Sequence, residues 1–318
     1  MKTPLAGRKT AGPTLGKSSL LKRMWKTRFL FLLFLPTLAY YILFHYVPIW
    51  GLRMALYKYN VFKGFSGSKF VGLQNFQIFF QSPDFWKITK NTMILGLQSM
   101  FISFPITIIF ALMLNEIRSH RFKKVTQTVS YLPHFLSTVV VTGLAITLLD
   151  PASGGINILI ERLGGEAIYF ITKKEWFRPI YLITGIWQGL GWSTIVYLAA
   201  ISNVDPGLYE AARLDGAGRW QQMWNITLPS IAPTVTTMFI LNVGSIMSAS
   251  LEKTLLLQTP ATYETSQVIS TYVYQQGFGY AKDYGYSTAV GLYSNMVNLI
   301  LLLIANWASK KTTENSLF

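Results

Sequence analysis

Six stretches of this chain run for about twenty residues with almost no charge, and they constrain the fold more than any other feature. About 20 residues rising 1.5 Å each cross a hydrocarbon core of about 30 Å. Inside lipid the backbone has no water to bond, so a spanning run must close its own hydrogen bonds as a helix. The windows are Phe29–Gly51, Asn91–Asn115, Thr126–Leu149, Pro179 to about Val204, about Ser230–Ser250 and Tyr284–Ser309. Charged residues make up 13% of the chain, roughly half the share of a soluble domain. The expected fold is all-α: a polytopic membrane protein with six transmembrane helices over residues 29–309, a basic tail at 1–28 and a short tail at 310–318. No repeat of about 20–50 residues is visible, which sets aside solenoids and propellers.

The first window follows a basic segment, as the apolar core of a signal peptide would. It is too long for one, contains Pro36 and ends in HYVPIWG rather than a small-x-small cleavage site, so it reads as a retained helix. Lysine and arginine then orient the chain. With the N-terminus inside, the inner segments 1–28, 116–125, 205–229 and 310–318 hold 16 of the 28 basic residues. The other 12 are spread over longer outer segments, which also carry 8 of the 13 acids. Basic density favours both termini in the cytoplasm, with RSHRFKK (118–124) as the clearest inner loop. The net charge of +15 is therefore a topology signal, and no basic face interleaved with aromatics suggests nucleic acid. The chain has no cysteine, and its histidines, His45, His120 and His134, lie far apart. No catalytic residue and no metal ligand is expected from that inventory.

The loop between the fourth and fifth windows breaks the apolar pattern with DPGLYEAARLDGAGRW. Asp205 suits an N-cap and Pro206 the first helical position, where a missing N–H costs nothing. A short helix should run to about Leu214 and end at Gly216, since glycine tolerates positive φ. A second short helix over about Arg219–Ile226 should lead to Pro229 at the mouth of the fifth span. The expectation is a helix-turn-helix on the cytoplasmic surface, with Leu208, Ala211 and Ala212 at helical spacing. Taken in isolation, the bland reading of this loop is an amphipathic connector resting on lipid headgroups.

The spacing reads otherwise. Glu210-Ala211-Ala212, three residues, Gly216, nine residues, Ile226, one residue and Leu228-Pro229 reproduce a family signature. In this the chain resembles the membrane-spanning permease subunits of binding-protein-dependent ABC importers. FVGLQNF (70–76), LNEIRSHRFKKVTQTVSYLPHF (114–135) and the closing ENSLF resemble the carbohydrate-uptake branch, in particular permeases for oligosaccharides and polysaccharides, a bacterial alginate importer among them. The resemblance implies that Glu210, Ala211, Ala212, Asp215 and Gly216 form a coupling helix docked on a separate ATPase. It implies a second homologous permease, two ATPase subunits that bind ATP and Mg, an extracytoplasmic solute-binding protein, and no cofactor in this chain. The location it implies is the bacterial inner membrane.

Other motifs weigh less. GPTLGKSS (12–19) approaches a phosphate-binding loop but has three residues where four are needed, and no strand precedes it. A basic tail is the better reading. GIWQG (185–189) suggests close helix packing. Gln188 and Trp192 in the fourth window, Asn242, Ser245 and Ser248 in the fifth, and Asn295 and Asn298 in the sixth are polar groups inside the bilayer. They suit either interhelical hydrogen bonds or a sugar pathway, since sugars bind through hydroxyls and aromatic faces. No window contains lysine or arginine, so the spans alone do not favour an acidic substrate. Basic residues of the outer loops such as Lys173, Lys174 and Arg178 could serve an acidic ligand, although a solvated loop is the commoner explanation. The outward segments 150–178 and 252–283 are long enough to meet a soluble binding protein. Rival readings are an importer of peptides, polyamines or ions, which shares the coupling motif, a membrane-embedded glycosyltransferase, which needs clustered acids, and a channel or sensor, which needs no coupling loop.

Overall fold

The computed structural model describes Trp25, residues 27–279, residues 281–313 and Leu317. The GPTLGKSS segment and most of ENSLF lie outside these residues. The chain divides into two units, residues 1–53 and 54–318. In the first, α1 (Arg28–Tyr41) continues through a π-turn at Ile42–Tyr46 into a helical turn at Val47–Ile49, and none of these residues is buried. A helix apolar on every face suits the interior of a membrane.

The second unit opens with a two-residue antiparallel pair, β1 (Tyr57–Lys58) and β2 (Lys69–Phe70). Helices follow: α2 (Gln74–Gln81), α3 (Phe85–Gln98), α4 (Phe104–Glu116), α5 (His120–Tyr131), α6 (Thr138–Leu148), α7 (Gly155–Arg162), α8 (Lys174–Ser202), α9 (Pro206–Leu214), α10 (Arg219–Gln222), α11 (Leu228–Val243), α12 (Leu251–Leu257), α13 (Ile269–Phe278) and α14 (Tyr284–Thr313). One core joins Phe79, Ile88, Met247, Tyr272, Tyr286 and Val290. A second joins Leu95, Leu149, Phe177, Ile180, Leu257 and Val268. A third, at the base of the charged loop, joins Leu112, Ile201, Met223 and Ile231.

Proline placement explains how long apolar rods stay continuous. A π-turn at Ser99–Ser103 joins α3 to α4, and another at Met223–Thr227 joins α10 to α11. Each ends two residues before a proline, Pro105 and Pro229, as the turn in α1 does before Pro48. Proline offers no N–H and crowds the carbonyl four residues back. Widening the turn to an i→i−5 bond opens that space, as when the Leu228 N–H reaches the Met223 carbonyl.

This geometry corrects three expectations. The second short helix of the loop does not stop before Pro229; it runs on as one rod, Arg219–Val243. The third window is not one helix. Pro133 sits in a 3₁₀ turn at Leu132–Phe135, Ser137 caps a new start by accepting from the Val140 N–H, and α5 and α6 meet at 100°. The fifth helix ends at Val243 rather than near Ser250. Among the described residues, four helices are long and apolar enough to cross a membrane, Arg28–Leu56, Phe85–Glu116, Arg219–Val243 and Tyr284–Lys311, and five if the bent pair counts as one. Helix α8, home of the fourth window, has 29 residues and is about 43 Å long. It falls outside that set because Thr184, Gln188, Ser193 and Thr194 dilute its apolar character.

Candidate coupling loop and polar cavity

The loop of residues 205–218 is closed by its own hydrogen bonds. The Asp205 carboxylate accepts from the Gly207 N–H at 2.9 Å, with Pro206 opening α9. At the other end Gly216 has φ +78°, the left-handed conformation that a Cβ disfavours. The Gly216 N–H donates to the Arg213 carbonyl at 3.1 Å and the Ala217 N–H to the Ala212 carbonyl at 2.8 Å. That pair of bonds is a Schellman stop. The Gly218 N–H then donates to Gln221 Oε1, and Gln222 Nε2 to the Ala217 carbonyl, both at 2.8 Å. Helix α9 buries no residue, and Leu208, Glu210, Ala211, Leu214 and Asp215 are exposed.

One anchor escaped sequence reasoning. Tyr209 turns inward, and its hydroxyl pairs with Thr227 Oγ1 at 2.9 Å, with half-buried Ala212 one turn further on the same side. Tyr209 was overlooked because a tyrosine in an alanine-rich helix gives no periodic signal of its own. Beneath the loop, Ile201 of α8, Leu112 of α4 and Met223 and Ile231 of the Arg219–Val243 rod form the third core. A compact, exposed knob thus sits on two helices that are locked together.

Those same helices wall a cavity of about 580 Å³, within the range of small-ligand sites, roughly 300–1,000 Å³. Gln98 and Ser99 of the α3–α4 rod, Tyr181, Gln188 and Trp192 of α8, Asn242 of α11 and Lys253 of α12 face it. A smaller cavity of about 120 Å³ is lined by Asn242, Ser245 and Ser248. Five of the candidate pathway residues therefore line one cavity or both. Ser245 and Ser248 do so from the turn beyond α11, not from a helical face.

Gln188 and Trp192 are also tied to the break between α5 and α6. Gln188 Nε2 donates to the Leu136 carbonyl at 3.0 Å, and the Trp192 ring stacks on His134 at 4.5 Å, nearly parallel. Asn295 and Asn298 line neither cavity. Asn298 instead accepts from the Met247 N–H and donates to Ser248 Oγ, holding the turn after α11 against α14.

The GIWQG reading also shifts. Nothing lies within 4 Å of a Cβ added at Gly189, whereas one at Gly191 would overlap the Ser130 carbonyl and press on Tyr131. Close approach of backbone to backbone occurs two residues beyond the motif. Among the outer cations, Lys174 pairs with Glu264 at 2.7 Å, which holds that carboxylate below its usual range. Arg178 donates to Asn91 Oδ1 at 2.9 Å.

Lys253 is the cation that the absence of charge in the spans concealed. It comes from the outer segment 252–283, is 6% exposed and reaches the cavity wall. Its Nζ donates to the Tyr181 carbonyl at 2.6 Å and lies 4.5 Å from the Tyr181 ring centroid. Burial holds its ammonium down, at about 8. The only sequence signal for it was a single lysine inside LEKTLLL.

A polytopic α-helical protein whose long helices frame a polar cavity, and carry a rigid exposed knob between two of them, has the architecture of a membrane transport subunit. Residues 103–314 match the model of the binding-protein-dependent transport system inner membrane component. The polygalacturonan/rhamnogalacturonan transport system permease protein YteP of Bacillus subtilis (strain 168) is 44% identical, over 95% of this chain and 94% of that protein. Protein LplB of the same strain is 39% identical over 97% of this chain and 96% of its own length. Among solved structures, a chain of a bacterial ABC transporter involved in the import of the acidic polysaccharide alginate matches with a TM-score of 0.84 at 40% identity. That match covers 92% of this chain and 99% of the other. The alginate ABC transporter in complex with an alginate pentasaccharide-bound periplasmic protein gives a TM-score of 0.85 at 40% identity, over 94% and 99% of the two chains. The chain belongs to the binding-protein-dependent transport system inner membrane component family, and it is an ABC transporter permease.

Proposed function

We propose that this chain is one permease subunit of an ATP-binding-cassette importer that carries an oligosaccharide or polysaccharide across the bacterial inner membrane. Its partners are a second homologous permease, two ATPase subunits that bind ATP and Mg and hydrolyse the nucleotide, and an extracytoplasmic solute-binding protein. The basic tail, the 116–125 loop, the 205–229 loop and the C-terminal tail face the cytoplasm, and segments 150–178 and 252–283 face the binding protein. Glu210, Ala211, Ala212, Asp215 and Gly216 form the surface that meets an ATPase.

The observation that carries this reading is the pairing of loop and cavity on the same two helices. A push on exposed α9 is borne by α8 and by the Arg219–Val243 rod, because Ile201, Met223 and Ile231 pack in one core below it. Those helices also present Gln188, Trp192 and Asn242 to the cavity. Displacing them as rigid bodies would alternately open the cavity to either side, which is how packed helices transmit small shifts. The sugar class rests on the polysaccharide and oligosaccharide permeases the chain resembles, and amide and aromatic groups in the wall suit hydroxyl-rich ligands.

The test is uptake by the complete complex in proteoliposomes, with its binding protein and labelled oligogalacturonate. ATP-dependent accumulation is the expected result. Accumulation of a peptide or polyamine in place of every saccharide offered would overturn it.

A further inference from the structure

The cavity holds two polar groups whose needs the protein does not meet. The first is Lys253, buried and without a carboxylate partner; the ion pairs among the described residues are Lys87–Asp84, Lys174–Glu264 and Arg219–Glu116. An ammonium has three donor protons, and the Tyr181 carbonyl accepts only one of them here. A buried charge without a counter-ion is costly, and a ligand that supplies the opposite charge relieves that cost.

The second group is Gln98, which lines the same cavity and whose Oε1, set just beneath the cavity surface, has no hydrogen-bond partner. An orphaned acceptor calls for a donor such as a hydroxyl.

Access to the cation is built in. Gly185 lines the cavity beside Lys253, and a Cβ there would stand 3.0 Å from Nζ. Any larger residue at 185 would cover the ammonium. Wall residues Gln188 and Asn242 add further amides, and among the described residues no second cation faces this space. One positive point, one unpaired acceptor and a neutral polar wall are complementary to a unit bearing one carboxylate and several hydroxyls.

We propose that Lys253 is the anion-binding residue of this cavity and receives the carboxylate of a uronic acid unit, with the Gln98 amide turning into the cavity to accept from one of its hydroxyls. The assignment rests on the carbohydrate-import reading above and narrows it to acidic saccharides. A purely structural role, tying α12 to α8 through the Tyr181 carbonyl, would require a hydrogen-bond donor but no charge. The two roles separate experimentally.

The probes are tetragalacturonate and its fully methyl-esterified form, which keeps the sugar and removes the charge. Each is titrated calorimetrically into the purified, nucleotide-free complex without binding protein. The wild-type complex is expected to bind the acid form about tenfold tighter than the ester, which corresponds to about 1.4 kcal/mol. Lys253→Gln should bring the acid down to the level of the ester, and Lys253→Arg should keep the preference. If Lys253→Gln keeps the preference, or weakens both forms alike, the assignment is overturned. Equal binding of both forms by the wild type overturns it and leaves carbohydrate import standing. Binding of neither form by the wild type overturns the assignment and leaves carbohydrate import to the uptake test.

Discussion

Glu210→Lys is expected to reduce ATP-driven uptake to background while the chain still inserts in the membrane. Glu210 is exposed on a helix with no buried residue, so its replacement removes little that the fold uses; surface changes of this kind cost about 0.5 kcal/mol or less. Its charge is available to a partner, and reversing it places like charges across a docking surface. Gly216→Val should act through shape instead. Nothing lies within 4 Å of an added Cβ, so crowding is not the cause; the cause is φ at +78°. A Cβ in that conformation costs about 1–2 kcal/mol, and relief of the strain breaks the two bonds that end α9. Gly216→Asn, whose side chain tolerates the left-handed region, should keep most of the uptake. Protease protection of the inserted chain and uptake of labelled oligosaccharide are the paired measurements. Wild-type uptake by Glu210→Lys and Gly216→Val would remove the coupling role from this loop.

Gly191→Leu should produce the largest loss of stability. At this point α8 lies against the end of α5 so closely that an added Cβ overlaps the Ser130 carbonyl and meets the Tyr131 ring. A backbone carbonyl cannot rotate aside as a side chain can, so one helix must move. Overpacking of this kind costs about 1–3 kcal/mol, and the movement would also separate Trp192 from His134, stacked next to it. The unfolding midpoint of the detergent-purified complex is expected to fall by about 5 °C, at about 2–4 °C per kcal/mol. Gly189→Ala, with open space around it, is the control and should leave the midpoint unchanged. Equal midpoints for both variants would show that α8 and α5 are not in this close register.

The sequence revealed which segments are apolar enough to cross a membrane more readily than where helices are continuous. Tyr284–Ser309 was readable because α14 spans Tyr284–Thr313 without a break, and Asn91–Asn115 because one continuous rod, Phe85–Glu116, carries that apolar window. Prolines defeated the same reading elsewhere. Pro105 and Pro229 follow π-turns and leave their rods intact, while Pro133 falls where Ser137 can cap a new helix and the chain turns by 100°. Hydropathy does not distinguish these cases, since the outcome depends on backbone spacing and on what the next helix packs against.

The loop was legible in residue identity and in its Asp205 and Gly216 ends, because capping is local chemistry. Its inner anchor, Tyr209 on Thr227, was not, because the partner lies across the turn in another helix. Lys253 was hidden for the same reason: a lysine assigned to an outer segment enters the cavity only once α12 packs against α8.

Coupled transport by this chain requires α9 to be the contact point for a separate ATPase, and a site-specific cross-link tests this directly. The chain has no cysteine, so Ala211→Cys places a unique thiol in this subunit on the exposed side of α9, where a benzophenone maleimide can be attached. Illumination of the assembled complex should give an adduct of this permease with one ATPase subunit, identified by mass, with a yield that changes when ATP and Mg are added. Adducts with lipid alone, or with the solute-binding protein, would contradict the account.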